Sequence, residues 1–389
     1  MRGHVFVVDR YSFPVHRSRL FCGVKNPINI NSRLSLYADL LCVREGDLIF
    51  FYQRRINEPR RERGFRGVFR AMSYPFFDDE DLFWEDNAVL GKCPYCNASY
   101  SEKDGKCPIC KKELDPKKHI LPNRVQTRIA QEYGYFEKPV DDNTAYINHT
   151  NHGMLWTMLF RKVFGPGRER SVTPILPEEV EKLIRLLKRV NSDETSSFPS
   201  NPYEPRKAIP ITINLCELSE GSRIKYENAL MAWMMANIDK DYPVLRDIVG
   251  PVEELEYFGN NVLYGIGGEK VDLLLLHKKD GIRYKATVIE LKKDKIDRRA
   301  IEQIEDYSYW IAQLSTAYLT TPPENFELQP VLIGHDLASE VPMLLKKLRE
   351  RVMHMPYRPP VNIRVRKPIV MTYSIKDCTI TFEIKSNFE

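Results

Sequence analysis

Apolar and polar positions alternate differently in the two halves of this chain. Residues 1–190 carry short apolar runs with the period of β-strands, at 4–8, 48–52, 64–71 and 121–128. Residues 210–389 alternate strand patterns with helical patterns, which predicts an α/β core. Between them, residues 191–209 are rich in Ser, Pro and acidic residues and lack hydrophobic periodicity, which indicates a linker. We therefore expect a β-rich N-terminal domain joined to an α/β C-terminal domain.

Helical periodicity recurs along the chain. The expected helices lie at 153–164, 174–190, 226–238 and 341–352, with a further one that carries Gln303 and Tyr307. Pro177, followed by two acids, is typical of a first helical turn. The helix expected at 341–352 has a basic outer face made of Lys346, Lys347, Arg349 and Arg351. Three more strands are expected at 326–333, 361–374 and 379–385.

A hairpin with polar residues at one end is the most informative pattern. An apolar run of four residues follows Asp272, and a second one precedes Glu290, with a Lys-Asp-Gly turn between them. Strand residues i and i+2 point to the same face. Glu290 and Lys292 are therefore expected to project together, with Leu291 facing the core behind them. Asp272 lies beside this pair if the two strands are hairpin neighbours.

This arrangement predicts a site for Mg²⁺ or Mn²⁺ and for phosphodiester chemistry. Asp272 and Glu290 provide hard carboxylate ligands, and the backbone carbonyl of Leu291 is a candidate for one more. A metal held there would polarise a phosphate and activate a bound water. Lys292 is expected to position that water and to stabilise the charge of the transition state. The alternative is a surface strand whose Glu and Lys side chains are only solvated.

The segment from Gly267 to Trp310 resembles the PD-(D/E)xK nuclease superfamily, and within it the RecB-like domain of NucS-type endonucleases. The likeness includes the Gly-Gly pair before Asp272 and the Gln303-x-x-x-Tyr307 pair on the following helix. Spacing of i, i+4 places both side chains on one helical face. The resemblance implies that this face borders the metal site and contacts the phosphate or the substrate strand. The chain departs from the family name at Val271, where proline would stand.

Glu227 is a candidate for a further acid of the site. It begins a helical pattern in which Leu230, Trp233, Met234 and Ile238 share one face. RecB-like domains place a glutamate on the helix before the first strand, and the resemblance implies that Glu227 points into the site. The alternative is an ordinary first-turn acid favoured by the helix dipole.

Four of the eight cysteines form a metal-binding pattern. They are two C-x2-C pairs separated by ten residues, namely Cys93, Cys96, Cys107 and Cys110. Two such turns aim four thiolates at one ion, which predicts a structural, tetrahedral Zn²⁺ site in a zinc ribbon at 91–114. Two disulfides are the alternative, and they fit an intracellular protein poorly. The other four cysteines are scattered, and we expect them to be buried or inert.

The order of motifs in residues 1–190 resembles the PUA-like superfamily, in particular its EVE and YTH-like members. The matching pieces include G-D-L-I-F-F-Y at 46–52, G-V-F-R-A at 67–71 and the tail from Gly167 to Leu187. The zinc ribbon is then an insertion. The resemblance implies a β-barrel that binds nucleic acid and holds a flipped base in an aromatic pocket. The candidate pocket residues are Trp84, Trp156 and Tyr52, each of which is equally compatible with a core position.

Positive charge is concentrated in one segment, although the net charge of the chain is only +5. Residues 54–66 contain six arginines, which are Arg54, Arg55, Arg60, Arg61, Arg63 and Arg66. A solvated loop is one interpretation. A loop that contacts phosphates is the preferred one in a chain that also carries a nuclease motif.

These patterns together predict a metal-dependent endonuclease with a base-recognising N-terminal domain. The expected substrate is DNA with a modified, mismatched or flipped base. The alternatives are a nuclease that processes RNA or tRNA, and a binding protein for modified nucleic acid whose nuclease fold is only a scaffold. A double-strand cut would require two active sites and hence a homodimer. No stretch of 18 apolar residues and no secretion signal is found, so we expect a cytoplasmic, nucleoid-associated protein without a membrane span.

Overall fold

The protein is described here from a computed structural model. The structure describes residues 1–8, 12–53, 64–80, 91–92, 99–100, 106–107, 109–112, 121–141, 144–145, 170–240, 242–264, 269–316, 325–355 and 360–385. Several predictions fall outside these residues. They are the helix at 153–164 and the residues Arg54, Arg55, Arg60, Arg61, Arg63, Trp84, Trp156, Cys93 and Cys96.

The N-terminal half is built on a nine-stranded, mostly antiparallel sheet. Its order is β10-β1-β3-β4-β8-β5-β11, with β2 paired to β8 and β9 paired to β4. β1 and β3 are parallel. The strands of this half are β1 (Gly3–Val8), β2 (Phe21–Val24), β3 (Leu48–Gln53), β4 (Gly64–Ala71), β5 (Phe76–Phe77), β6 (Gly91–Lys92), β7 (Ser99–Tyr100), β8 (Asn123–Ile129), β9 (Phe136–Val140), β10 (Val172–Ile175) and β11 (Ile209–Pro210). The helices are α1 (Ser12–Arg19), α2 (Ile30–Leu40) and α3 (Pro177–Val190).

The sequence predicted four of these strands and α3 nearly in place. In α3, proline occupies the first turn and the Glu179 carboxylate accepts a hydrogen bond from the Leu176 N–H at 2.7 Å. Helices α1 and α2 were not predicted. The expected linker at 191–209 has little regular structure, yet Tyr203 within it is 3% exposed and its hydroxyl bonds Asp78.

The C-terminal half contains an eight-stranded mixed sheet in the order β14-β15-β16-β18-β21-β20, with β22 paired to β18 and β23 to β22. Its strands are β12 (Ser219–Glu220), β13 (Arg223–Ile224), β14 (Leu255–Tyr264), β15 (Glu269–Lys279), β16 (Ile282–Leu291), β17 (Lys295–Ile296), β18 (Asn325–Gly334), β19 (Asp336–Leu337), β20 (Arg351–Met355), β21 (Val361–Val365), β22 (Ile369–Lys376) and β23 (Thr379–Ile384). The helices are α4 (Leu215–Leu218), α5 (Glu227–Asn237), α6 (Pro243–Val249), α7 (Arg298–Thr316) and α8 (Val341–Lys347), with a 3₁₀ turn at Val252–Glu254.

Two predictions for the C-terminal half are wrong at their boundaries. The helix expected at 341–352 ends at Lys347, because Arg351 begins β20 and pairs with Val365 of β21. The strand expected at 361–374 is two strands, β21 and β22, which pair with different parts of β18.

The prediction that all four scattered cysteines are buried or inert is also wrong for two of them. Cys216 and Cys378 form a disulfide on the exposed surface.

The two halves share one hydrophobic core. The largest cluster of buried apolar side chains contains Phe6 and Leu34 from the N-terminal sheet and α2, and Met231, Leu273 and Ile289 from the C-terminal half. A second cluster lies between the other face of the C-terminal sheet and α7. Each face of the C-terminal sheet is thus covered by apolar packing.

Candidate functional site

The predicted hairpin is confirmed, and it brings two acids together. β15 and β16 are antiparallel neighbours, with Leu273 opposite Ile289. Asp272 and Glu290 are the next pair along this ladder, at the end of the hairpin away from the turn. The Oδ2 atom of Asp272 accepts a hydrogen bond from the Leu291 N–H at 2.8 Å. Leu291 itself is fully buried, as expected for a residue facing the core.

Lys292 occupies the centre of a short polar chain. Its Nζ donates to Glu290 Oε1 at 2.5 Å and to Gln303 Oε1 at 3.1 Å. Gln303 in turn donates from Nε2 to the Tyr307 hydroxyl at 3.2 Å. Gln303 and Tyr307 are one turn apart on α7, which covers this face of the sheet. The structure therefore brings together the acids, the lysine and the helical pair that the sequence singled out.

Glu227 reaches the same end of the sheet from α5. Its Oε2 atom accepts a hydrogen bond from the Lys293 N–H at 3.1 Å. The side chain is exposed, and its negative charge adds to the effect of burial, which raises the pKa of Asp272 and of Glu290. Glu227 thus lies at the rim of the site.

Negative charges outnumber positive charges at this end of the β15–β16 hairpin. Burial, and then the charge of Glu290, raise the pKa of Asp272 well above its usual range. Burial also raises the pKa of Glu290, against the opposing charge of Lys292. Burial alone would lower the pKa of Lys292, but pairing with Glu290 outweighs it and raises that pKa. Three carboxylates face one ammonium group, so the site carries an excess of negative charge.

The donor set fits a divalent cation of the Mg²⁺ type. The Oε2 atom of Glu290 is buried and, among the described residues, no hydrogen-bond donor reaches it. A buried oxygen of this kind is costly unless a cation or a proton satisfies it. Asp272, Glu290 and the carbonyl of Leu291 would supply the hard oxygen ligands. Within the described ranges, no three His, Cys, Asp or Glu side chains already converge as a metal-binding group.

The predicted zinc ribbon is only partly described. Cys107 is buried, and its backbone N–H donates to Lys112 O at 2.9 Å while its carbonyl accepts from the Lys111 N–H at 3.0 Å. These two bonds close a tight turn around the second C-x2-C pair. The short strands β6 and β7, on either side of the first pair, form a hairpin. The zinc site stays a prediction, because Cys93 and Cys96 lie outside the described residues.

A cavity in the N-terminal half was not predicted from the sequence. Its volume is about 670 Å³. One face of α2 lines it, with Ser32, Ser35, Leu36 and Asp39. Lys25, Phe77 and Arg170 are on its other walls. The cavity thus combines an aromatic ring, hydroxyl groups and charges of both signs. No local sequence signal could have found it, since its walls come from five separate segments.

Two further candidates are placed in the interior of the N-terminal half. Tyr52 is 4% exposed and its ring packs against Phe65, with 4.8 Å between the ring centroids. Arg66 is 8% exposed, and its guanidinium donates to Gln53 Oε1 at 3.1 Å and to Glu137 O at 2.9 Å. Both side chains are therefore held by the protein itself, and neither lines the cavity.

Comparisons with known proteins concern about half of the chain. No protein-family model and no curated protein matches the sequence. Human THYN1, solved in complex with 5-methylcytosine containing DNA, is 14% identical and aligns over 48% of this chain and 98% of its own, with a TM-score of 0.27. The DUF55 domain of human thymocyte nuclear protein 1 is 13% identical over 48% and 98%, also with a TM-score of 0.27. A hypothetical protein from Leishmania major is 12% identical over 49% and 96%, with a TM-score of 0.29.

TM-scores of this size do not by themselves establish a shared fold or a shared ligand. The PUA-like resemblance of the N-terminal half stays a prediction from the order of its sequence motifs. In the described part of the chain, none of the helices has the length and apolar character needed to cross a membrane.

Proposed function

We propose that this protein is a metal-dependent endonuclease that cleaves phosphodiester bonds of DNA. The observation that carries the proposal is the pair of acids, half-buried Asp272 and buried Glu290, beside Lys292 at one end of a sheet. Buried carboxylates with raised pKa values and an unsatisfied oxygen are costly, and such groups cluster at functional sites. Asp272 and Glu290 lie opposite each other on neighbouring strands, which agrees with the arrangement that the PD-(D/E)xK resemblance implies.

The roles of the residues follow from their contacts. A divalent cation bound by Asp272 and Glu290 would supply Lewis acidity at the scissile phosphate and a water of lowered pKa. Lys292 is held between Glu290 and Gln303, so its ammonium group is directed at the position of the incoming phosphate. Gln303 and Tyr307 orient Lys292 and offer further contacts to the substrate strand. Glu227, at the rim, adds negative charge that favours a cation and restricts where the phosphate enters.

The N-terminal half would act as the targeting module. Its cavity has a volume typical of small-ligand pockets. The Phe77 ring and the polar groups of the α2 face offer stacking and edge hydrogen bonds of the kind that recognise a base taken out of a duplex. Lys25 at its wall provides a positive charge for the adjoining phosphate. We propose that a modified, mismatched or otherwise flippable base occupies this cavity.

Two other functions compete with this proposal. An RNA- or tRNA-processing nuclease uses the same acids and differs only in the substrate. A binding protein with a nuclease fold as scaffold would need no complete site, so the presence of both acids and the lysine favours an enzyme. DNA is preferred because the NucS-type resemblance implies it.

The decisive experiment presents a panel of labelled substrates with Mg²⁺ or Mn²⁺. The panel holds plain, mismatched and base-modified duplex DNA, including 5-methylcytosine, together with single-stranded DNA and structured RNA. We expect cleavage of one DNA class and no cleavage by the Asp272→Ala/Lys292→Ala protein. Lys279→Ala, on β15 at the opposite end of the sheet, is the matched control and should cut like wild type.

Each outcome decides between the candidates. Cleavage of RNA alone would replace the DNA assignment with the RNA-processing one. Tight binding with no cleavage, unchanged in the double variant, would leave the binding-protein function. Cuts in both strands, together with a mass twice that of the monomer on light scattering, would support a homodimer.

A further inference from the structure

The cavity and the two acids are connected by a pair of packed helices. One face of α2 lines the cavity through Ser32, Ser35 and Asp39. An adjoining face packs against α5, the helix that begins at Glu227. The helix that forms a wall of the cavity is therefore in direct contact with the helix that carries an acid of the cleavage site.

Polar contacts fix the two helices at both ends. Near the N-terminal ends of α2 and α5, the Asn228 Nδ2 donates to Asn31 Oδ1 at 2.9 Å and to Asn31 O at 3.3 Å. Near the C-terminal ends of the two helices, the guanidinium of Arg44, which follows α2, donates to Met235 O at 2.7 Å and to Asp239 Oδ1 at 2.8 Å. Contacts at two points about three turns apart prevent both sliding and rotation of α2 against α5.

A buried polar cluster makes a second connection from the cavity to the sheet. Arg170 and Asp39, both in the cavity wall, pair with each other, with Nε to Oδ2 at 2.6 Å. Asn260 of β14 donates from Nδ2 to Asp39 Oδ1 at 2.9 Å, and its carbonyl accepts from Arg170 Nη1 at 2.8 Å. Asn260 is opposite Leu273 on β15, which is the residue next to Asp272.

We infer that the recognised base and the cleaved bond are held at a fixed offset on one nucleic acid. This inference rests on the proposed function. Two helices in contact are 8–10 Å apart and each is about 10–12 Å wide, so the path from cavity to acids is on the order of 10–20 Å. At about 3.4 Å per nucleotide along a strand, this corresponds to roughly three to six nucleotides. A nuclease on a flexible tether would instead cut over a broad range of distances.

The direct test maps cleavage on a duplex that carries one recognised base at a known position. We expect cuts at one or two adjacent bonds per strand, within about six nucleotides of that base. Asn228→Ala removes the contact to Asn31 and should spread the cuts to neighbouring bonds while total cleavage falls less than about threefold. Asn237→Ala is the matched control, because Asn237 donates only within its own helix, to Trp233 O at 2.8 Å, and should leave the positions unchanged. Cuts scattered over ten or more nucleotides by the wild-type protein would overturn the inference.

A second test needs no cleavage activity. A protease site inserted between Pro199 and Ser200, which are both exposed, allows the chain to be cut between its halves. We expect the nicked protein to elute as one species and to melt in one transition, as a shared core requires. Separation of the halves in native buffer would refute the rigid connection. Absence of cleavage on every substrate would refute the proposed function, and the nicked protein would still decide whether the halves form one body.

Discussion

Two pairs of buried or half-buried carboxylates in this protein have opposite electrostatic character. At the end of the β15–β16 hairpin, Asp272 and Glu290 share one lysine, and burial raises the pKa of both. At the contact between the halves, Asp47 and Asp239 are also shielded from water, yet their pKa values are lowered. Burial acts in the same direction in both groups. The difference comes from the number of partners.

The partners of the second group outnumber its charges. Asp47 accepts from Arg2 Nε, His4 Nε2 and the Arg44 N–H, at 2.9, 2.9 and 2.8 Å. Hydrogen bonds and positive charge together exceed the cost of burial there, so the ionised form is favoured. At the hairpin end, the single ammonium of Lys292 is not sufficient. Asp47 and Asp239 thus have their positive partners within the protein, whereas Asp272 and Glu290 have too few, and this difference supports the proposed cation.

The largest expected effect is on cleavage. Glu290→Gln keeps the shape of the side chain but removes the charge that the cation and Lys292 both need. We expect the single-turnover rate to fall by at least about 10³-fold, as for the loss of a principal electrostatic contact. Glu327→Gln is the matched control, since Glu327 forms a surface pair with Arg366 on the same sheet and should cut within about twofold of wild type. Equal rates for Glu290→Gln and wild type would remove Glu290 from the site.

The second effect is on stability, and it concerns Asp47 and its positive partners. Asp47→Ala removes the carboxylate that accepts hydrogen bonds from the Arg2 guanidinium, the His4 ring and the Arg44 N–H. We expect the free energy of unfolding in urea to fall by about 3–5 kcal/mol. An Asp47→Ala protein as stable as wild type would show that the hydrogen bonds of Asp47 do not stabilise the fold.

The third effect is also on stability, but with the opposite sign, and it concerns Asp272 at the end of the hairpin. Without a divalent cation, Asp272→Asn removes a buried charge that is poorly compensated. We expect the free energy of unfolding at pH 7 to rise by on the order of 1 kcal/mol or more, measured in urea with EDTA. Added Mg²⁺ or Mn²⁺ should stabilise wild type and leave Asp272→Asn unaffected. Loss of stability in the variant under EDTA would contradict the charge excess at this end.

The pH dependence distinguishes the two groups independently. A carboxyl whose folded pKa is raised destabilises the folded state once pH exceeds its unfolded pKa, so the stability advantage of Asp272→Asn should shrink as pH falls toward about 4. A carboxyl whose folded pKa is lowered contributes stability above its unfolded pKa, and that stability is lost as pH falls through the folded pKa. The deficit of Asp47→Ala should therefore persist down to about pH 4 and shrink only below it. Parallel pH curves for the two variants would refute the comparison.

Sequence patterns predicted that the two acids and the lysine at the hairpin end lie together, because these residues are close in the chain. Asp272, Glu290 and Lys292 belong to one hairpin, and strand alternation alone places them on one face. The group of Asp47 and Asp239 was not predicted, since its contacts join residues far apart, as in the pair of Arg44 and Asp239, 195 residues apart. The same reason explains the missed disulfide between Cys216 and Cys378, which are separated by 162 residues.

Tertiary pairing also overrode a local helical signal. Residues 341–352 have amphipathic helical spacing, but the residues from Arg351 onward pair as an edge strand with β21. The N-terminal cavity was out of reach for a related reason. A cavity is a property of how segments pack, and the residues that line this one carry no shared spacing in the sequence.

The smallest expected effect tests how Lys292 is held. Tyr307→Phe removes the hydroxyl that accepts a hydrogen bond from Gln303 Nε2 and leaves the ring in the core. Gln303 would then be free to rotate, and its Oε1 would hold Lys292 for a smaller fraction of the time. We expect cleavage to slow by about three- to tenfold, which corresponds to about 0.7–1.4 kcal/mol, the range of one neutral hydrogen bond. Mn²⁺ affinity measured by calorimetry should stay unchanged, because the Tyr307 hydroxyl is not one of the proposed metal ligands. A parallel loss of Mn²⁺ affinity would mean that Tyr307 also helps to position Asp272 and Glu290. The metal site would then include α7 as well as the hairpin.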